Sequence, residues 1–150
     1  MTNYFQFEAD FVDSLRCIPM QVRLKLDTCG IKLKLAQWNQ FSQTDRQALV
    51  DRPCTPGSET QAYREFLQQL VLAETGMVAT DLPVNPDPPW MEGNAIPAAV
   101  QERAQTEGIV ISLEQWDRLS PLQRFALIKL SRSSHENSNF VPALKEFQLL

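Results

Sequence analysis

The residues of this sequence that could carry chemistry are three cysteines, a single histidine and a group of carboxylates near the N-terminus. Cys17, Cys29 and Cys54 form no CxxC pair, and His135 lies far from them in the polar stretch SRSSHENSN. A tetrahedral zinc site needs four closely organised Cys or His ligands, and an odd number of cysteines argues against a disulfide framework. We therefore expect no metal and no bound cofactor, with Cys29 buried on an apolar helical stripe and Cys17 more exposed.

The carboxylates Glu8, Asp10 and Asp13 lie in the stretch FEADFVD. Paired carboxylates can act as general acid and base, but no histidine lies near these three. We expect a solvated face, or a contact with Arg16 or Arg23. The sequence also contains no glycine-rich phosphate loop, no GxSxG motif and no HExxH motif. The residues thus give no positive support to an enzyme, and we predict no catalytic residue.

Composition limits the kinds of partner. The net charge is -4, with 14 Lys and Arg against 18 Asp and Glu, and this balance disfavours nucleic acid and anionic membrane surfaces. No stretch approaches the roughly 20 apolar residues of a membrane span. The start of the sequence, MTNYFQFEADFVD, lacks the basic region of a secretory signal. We expect a cytoplasmic protein that binds neither nucleic acid nor membrane.

A segment that contains several of the predicted helices occurs twice in the sequence. Residues 18–50 align with residues 96–128 at a shift of 78 positions, and 13 of the 33 pairs are identical without a gap. Chance would give about two identities at average residue frequencies. We interpret the pattern as an internal repeat. The identical pairs are Ile18/Ile96, Pro19/Pro97, Val22/Val100, Thr28/Thr106, Gly30/Gly108, Ile31/Ile109, Leu35/Leu113, Gln37/Gln115, Trp38/Trp116, Ser42/Ser120, Arg46/Arg124, Ala48/Ala126 and Leu49/Leu127.

Each copy carries the same helix signals. Pro19 suits the first turn of a helix, Gly30 suits its left-handed end, and Ser42 is an N-cap candidate for the next helix. The segments IKLKL and IVISL that follow the glycines alternate and predict short extended pieces. The segment LQRFALIKL is apolar nearly all round, which predicts a central helix. A further helix closes each half, and Ser58 with Gln61 has the spacing of a capping box.

The segment between the copies, VATDLPVNPDPPWMEGN, holds four prolines that oppose a helix and favour an extended strap. We predict a mostly α fold: a single compact helical domain over residues 1–150, built from an internal duplication with pseudo-twofold symmetry. The repeat halves are approximately residues 1–76 and 95–150. The proline-rich strap, residues 77–94, joins them.

The three tryptophans differ in position. Trp38 and Trp116 occupy matching places in the repeat, which favours core anchors. Trp90 has no repeat partner and follows PDPP in the strap. It is either a docking residue for a partner or the pin that fixes the strap to the body, and the sequence leaves both interpretations open.

The stretch FQFEADFVDSLRCIPMQVRLKLDTCGIKL, residues 5–33, resembles the start of the cyanobacterial nitrate reductase-associated proteins. The later pattern WMEGNAIPAAVQ, EGI, QW and QRFALIKL resembles the second half of the same family. This resemblance implies a non-enzymatic accessory or assembly factor for assimilatory nitrate reductase, with the reductase or a maturation intermediate as its partner. That reductase carries a molybdenum cofactor and an iron–sulfur cluster, and this chain has no cysteine framework for such a cluster.

We place the partner-binding surface on the N-terminal segment and on the strap, because the repeat does not duplicate them. The predicted residues are Phe7, Glu8, Asp10, Arg16, Cys17, Trp90 and Met91. One alternative is a small-ligand module that binds a molybdenum-cofactor precursor, with cations drawn from Arg16, Arg23, Arg46 and Arg124. Another is a general protein-interaction module with a different partner.

Overall fold

The computed structural model describes residues 4–12, 15–132 and 139–150, and these residues are mostly helical. They divide into two units. The first unit comprises Ala9–Val84 with Tyr4, and the second comprises Phe5–Glu8 and Asn85–Leu150, each over its described residues. The predicted mostly α fold is confirmed. The single domain and its pseudo-twofold symmetry stay predictions.

The first unit is helical apart from one short antiparallel pair of strands. Its helices are α1 (Ala9–Val12), α2 (Met20–Cys29), α3 (Leu35–Trp38), α4 (Gln43–Asp51) and α5 (Ser58–Thr75). Its strands are β1 (Ile31–Lys32) and β2 (Thr80–Asp81), paired with Ile31 opposite Asp81. Helix α2 packs against α5 and α4, and α5 also contacts α3. The core lies between these helices and contains Val22, Leu26, Trp38, Leu49, Tyr63 and Leu67.

The second unit is arranged around one buried helix. Its helices are α6 (Ala98–Thr106), α7 (Leu113–Arg118), α8 (Pro121–Arg132) and α9 (Phe140–Glu146), and it also holds the 6–8 turn (Gln6–Glu8) and the 89–91 turn (Pro89–Met91), both 3-10 helical. Helix α8 contacts α6, α9 and the 89–91 turn, and α9 contacts the 6–8 turn. Five residues of α8 between Phe125 and Leu130 are buried, as its apolar sequence predicts.

The predicted helix signals operate in both copies. The carbonyl of Pro19 accepts the N–H of Arg23 at the start of α2, and Gly30 ends that helix with a φ of 80°. The hydroxyl of Ser42 caps α4 by accepting the N–H of Asp45 at 3.1 Å. The second unit has the same three signals. Pro97 begins α6, Gly108 follows the end of α6 with a positive φ, and Ser120 caps α8.

Helix α5 begins differently from its predicted capping box. The N-cap is Gly57, whose φ is 120° and which has no side chain to accept a hydrogen bond, and Ser58 is already the first helical residue. The turn before the helix is instead closed by Glu59, which accepts the N–H of Thr55, and by Thr60, which donates to the carbonyl of Thr55. Glycine tolerates a positive φ, so the chain can turn at Gly57 and begin the helix there. The N-cap is therefore one residue earlier than predicted.

The strap is more structured than a polyproline segment. Thr80–Asp81 forms β2, and Pro89–Met91 forms a single 3-10 turn, since a proline fits the first position of a helical turn. Conversely, the predicted extended piece IVISL forms no strand. There Ile111 exchanges both main-chain hydrogen bonds with the side-chain amide of Gln101. An amide side chain therefore substitutes for a strand partner at that position.

Two glycines in the left-handed region, each at the end of a helix, give a paired test of packing at the end of α2. Gly30 and Gly76 both end a helix with a φ of 80°. A Cβ at Gly30 would lie 2.7 Å from Val84 Cγ2 and 3.0 Å from the Leu82 carbonyl oxygen, whereas a Cβ at Gly76 meets nothing within 4 Å. We expect Gly76→Ala to lower the free energy of unfolding by about 1 kcal/mol and Gly30→Ala by about 2 kcal/mol. Urea denaturation of both variants checks this, and equal losses would contradict the close approach at Gly30.

Candidate functional site

Two side chains, those of Trp116 and Arg124, bind the part of the strap that belongs to the second unit. The indole Nε1–H of Trp116 donates to the carbonyl of Glu92 at 3.1 Å. The guanidinium of Arg124, which is only 6% exposed, donates to three main-chain carbonyls. These are the carbonyls of Trp116 at 3.1 Å, Trp90 at 3.2 Å and Asp117 at 2.9 Å. We call Trp116 and Arg124 the second-unit clamp, because they tie the strap to α7 and α8.

Trp90 is held by this clamp and by an aromatic contact. Its ring is half-buried and meets Phe125 edge-on, with 5.1 Å between the ring centroids. The next glycine, Gly93, lies against the main chain of Asp117, since a Cβ there would be 3.1 Å from the Cα of Asp117. Trp90 therefore pins the strap to α8. Met91 follows directly, and its side chain is 54% exposed.

The first unit contains a clamp of the same composition. Trp38 Nε1–H donates to the carbonyl of Leu15 at 2.8 Å, and Arg46 Nη1 donates to the same carbonyl at 3.2 Å. Arg46 also donates to the carbonyls of Trp38 and Asn39, at 3.2 and 3.1 Å. We call Trp38 and Arg46 the first-unit clamp. Both tryptophans are fully buried, as predicted for core anchors.

The two clamps bear on the alternative of an anionic ligand site. Arg46 and Arg124 were two of the four candidate cations, and each directs its N–H groups to three main-chain carbonyls. A guanidinium whose donors are engaged in this way has few left for a phosphate or a carboxylate. Arg16 is exposed and Arg23 is half-buried. No observation here favours the cofactor-precursor module.

The N-terminal candidates are divided between the units. In the second unit Phe7 stacks on Phe5 and meets Phe147 edge-on, and its N–H donates to Glu146 Oε1 at 3.2 Å. Glu8 lies in the same turn and is 1% exposed, so its carboxylate is not presented to solvent.

The remaining candidates are placed as follows. Arg16, exposed, and Cys17, half-buried, belong to the first unit. Asp10 lies on α1, but its side chain is outside the described residues, as are Asp13 and His135. Of the seven predicted residues, the structure thus places Phe7, Glu8, Trp90 and Met91 in the second unit.

One pair of residues was not predicted from the sequence as a pair. The thiols of Cys29 and Cys54 reach consecutive carbonyls of α2, those of Leu26 and Lys25, so the two sulfurs are neighbours and Lys25 lies beside them. The contact with Cys29, together with Thr60 and Lys25, lowers the pKa of Cys54 below its ordinary value against the opposing effect of burial. The same contact and burial raise the pKa of Cys29. No spacing motif links positions 29 and 54, and only the tertiary fold brings them together.

The described residues also bear on metal binding and on membrane insertion. Among the described residues, no group of three or more His, Cys, Asp or Glu side chains is arranged to hold a metal ion. Within the same ranges, no helix combines the length and the apolar character needed to cross a bilayer.

The fold and the site define a small, mostly helical protein in which two tryptophan–arginine clamps hold the segments that precede residues 18 and 96. Residues 4–147 match the family described as conserved nitrate reductase-associated protein, and the chain belongs to this family. The resemblance noted in the sequence is thereby confirmed over nearly the whole chain. No curated protein and no solved structure was found to match it.

Proposed function

We propose that this protein is a non-enzymatic accessory factor that binds assimilatory nitrate reductase or a maturation intermediate of that enzyme. The observation that carries the proposal is the family match over residues 4–147. A binding protein acts on its partner without chemistry of its own, because a ligand that prefers one state shifts the population towards that state. In this proposal the protein is cytoplasmic and holds the reductase in a state that can receive its cofactors.

We place the docking surface on the second unit, around Met91. The second-unit clamp and Phe125 hold Trp90, so the 89–91 turn is ordered before a partner arrives. Preorganisation of this kind lowers the entropic penalty of binding. Methionine is enriched at interfaces and adapts its shape to a partner. Trp90 packs against the second unit, whereas Met91 is 54% exposed, so Met91 is the large apolar side chain that this turn presents to the reductase.

The two clamps also support the proposed internal duplication. Trp38 and Arg46 bind the Leu15 carbonyl in the first unit, and the residues 78 positions later bind the Trp90 and Glu92 carbonyls in the second. Arg46 and Arg124 each also donate to the carbonyls of matching positions, Trp38 and Asn39 in the first unit and Trp116 and Asp117 in the second, and this correspondence favours a common origin of the two copies.

Affinity capture tests the proposed function and the placement of the surface. A tagged wild-type chain is incubated with a cell extract that contains nitrate reductase, in parallel with Met91→Asp and Met77→Asp. Met77 is 72% exposed in the first unit, so it controls for adding a carboxylate to an exposed methionine site. We expect the wild type and Met77→Asp to enrich the reductase, and Met91→Asp to lose about tenfold in capture.

The two parts of the proposal fail differently in this experiment. If no variant enriches the reductase in any cofactor state, the accessory function is wrong. If all three capture it equally, the function stands and the placement around Met91 is wrong. A stable complex should bury roughly 1,200 Å² or more in total.

A further inference from the structure

Cys54 and Cys29 form a paired thiol site between the α4–α5 loop and the end of α2. The Cys29 Sγ donates to the carbonyl of Leu26 at 3.7 Å, and the Cys54 Sγ donates to the carbonyl of Lys25 at 3.6 Å. The two acceptors are consecutive carbonyls of α2, and this brings the two thiols next to each other. Both thiols are free. The pair joins two segments that are 25 positions apart in sequence.

The two thiols of the pair are not equivalent. Cys29 is buried in the core of the first unit, whereas Cys54 is half-buried. Lys25 is fixed beside Cys54, because its Nζ donates to the carbonyls of Val50 and Arg52 at 2.5 and 2.7 Å. A cysteine next to a lysine, partly exposed and adjacent to a second thiol, has the features of a redox-sensitive site. Cys17, the third cysteine, is not part of this pair.

We propose that Cys54 and Cys29 form a reversible intramolecular disulfide when the protein meets a peroxide. The Cys54 thiolate attacks one oxygen of hydrogen peroxide, which breaks the O–O bond and gives a Cys54 sulfenic acid and hydroxide. The Cys29 thiol then attacks the sulfenic sulfur and displaces hydroxide. The proton of Cys29 and the proton first released by Cys54 convert the two hydroxides to water. Two thiols are oxidised by two electrons and one peroxide is reduced.

The direction of attack follows from the surroundings of each sulfur. The lowered pKa of Cys54 increases its thiolate fraction near neutral pH, and the raised pKa of Cys29 keeps that residue a thiol. Cys54 therefore meets the oxidant first and Cys29 resolves the sulfenic acid. The resulting bridge would fasten the α4–α5 loop to the end of α2 and restrict the unfolded chain.

Peptide mapping after peroxide treatment tests this site on the full chain. Trypsin separates the three cysteines, since Cys17, Cys29 and Cys54 fall in peptides 17–23, 26–32 and 47–64. We expect the wild type and Cys17→Ser to yield peptides 26–32 and 47–64 joined by a disulfide that dithiothreitol reverses. The bridge should raise the thermal midpoint by about 5–10 °C. Cys54→Ser, a change at a half-buried position, should show neither the bridge nor the shift.

Two measurements keep the proposal testable if a variant folds poorly. On the unmodified wild type, iodoacetamide should alkylate Cys54 faster than Cys17. The pH at which the alkylation rate of Cys54 is half-maximal should lie below the ordinary pKa of a cysteine. In Cys29→Ala, dimedone should trap the sulfenic acid on Cys54. The proposal is overturned if peroxide acts first on Cys17, or joins two chains through it, while Cys29 and Cys54 remain free thiols.

Discussion

Replacing Trp116 by alanine is expected to lower the free energy of unfolding by about 3–5 kcal/mol. The indole is fully buried in the second unit, so the change leaves a large cavity beside α7. The change also removes the donor that Nε1 provides to the Glu92 carbonyl at 3.1 Å. Both effects act on the segment that carries Trp90 and Met91. The variant should therefore weaken reductase capture as well as stability.

Urea denaturation followed by circular dichroism measures the loss, and Trp116→Phe is the matched control. Phenylalanine keeps most of the ring volume and removes the N–H, so we expect a loss of about 1–2 kcal/mol. Trp38→Phe makes the same change in the first-unit clamp, where Nε1 donates to Leu15. A loss below about 1 kcal/mol for Trp116→Ala would mean that the indole does not anchor this unit.

Replacing Arg124 by methionine is expected to lower the free energy of unfolding by about 3 kcal/mol. Methionine retains an unbranched apolar stem, but it removes the three charge-assisted bonds to the carbonyls of Trp116, Trp90 and Asp117. Contributions within one such group are not additive, so the total is smaller than three independent bonds would give. The loss is large because the guanidinium is buried and the carbonyls cannot all turn to water.

Arg46→Met is the internal control for this prediction. Arg46 makes three bonds of the same kind in the first unit but is half-buried, so water can replace some of them. We expect a loss of about 1–2 kcal/mol. The two variants should also differ in binding, because Arg124, unlike Arg46, donates to the Trp90 carbonyl. If Arg46→Met weakened reductase capture more than Arg124→Met, the placement of the docking surface on the second unit would be contradicted.

The parts of the fold that could be predicted from the sequence depend on local signals. Gly30 ends α2 because a helix end in the left-handed region favours glycine, and Ser42 caps α4 because its hydroxyl reaches an N–H three residues on. The apolar run of α8 predicted its burial. The cap of α5 was predicted one residue too late, because the Gly57 conformation depends on the loop before it rather than on the Ser58 spacing.

The partners of the clamp arginines could not be predicted in the same way. From the sequence, Arg46 and Arg124 were candidates for an anionic ligand, since a cation gives no indication of whether it faces solvent or the main chain. The structure directs both to carbonyls of segments that precede the repeat. Two other pairs are also brought together only by the tertiary fold: Cys29 with Cys54, and Ile31 with Asp81. No motif or regular spacing in the sequence links the members of either pair.

Binding of the wild-type chain to purified nitrate reductase, measured by calorimetry on cofactor-free and mature enzyme, tests the central claim most directly. We expect binding to both forms, and tighter binding to the cofactor-free form by at least about fivefold, because only differential affinity shifts a population. The absence of binding to either form, or equal affinity for both, would contradict the proposal that this protein holds the reductase in a cofactor-receptive state.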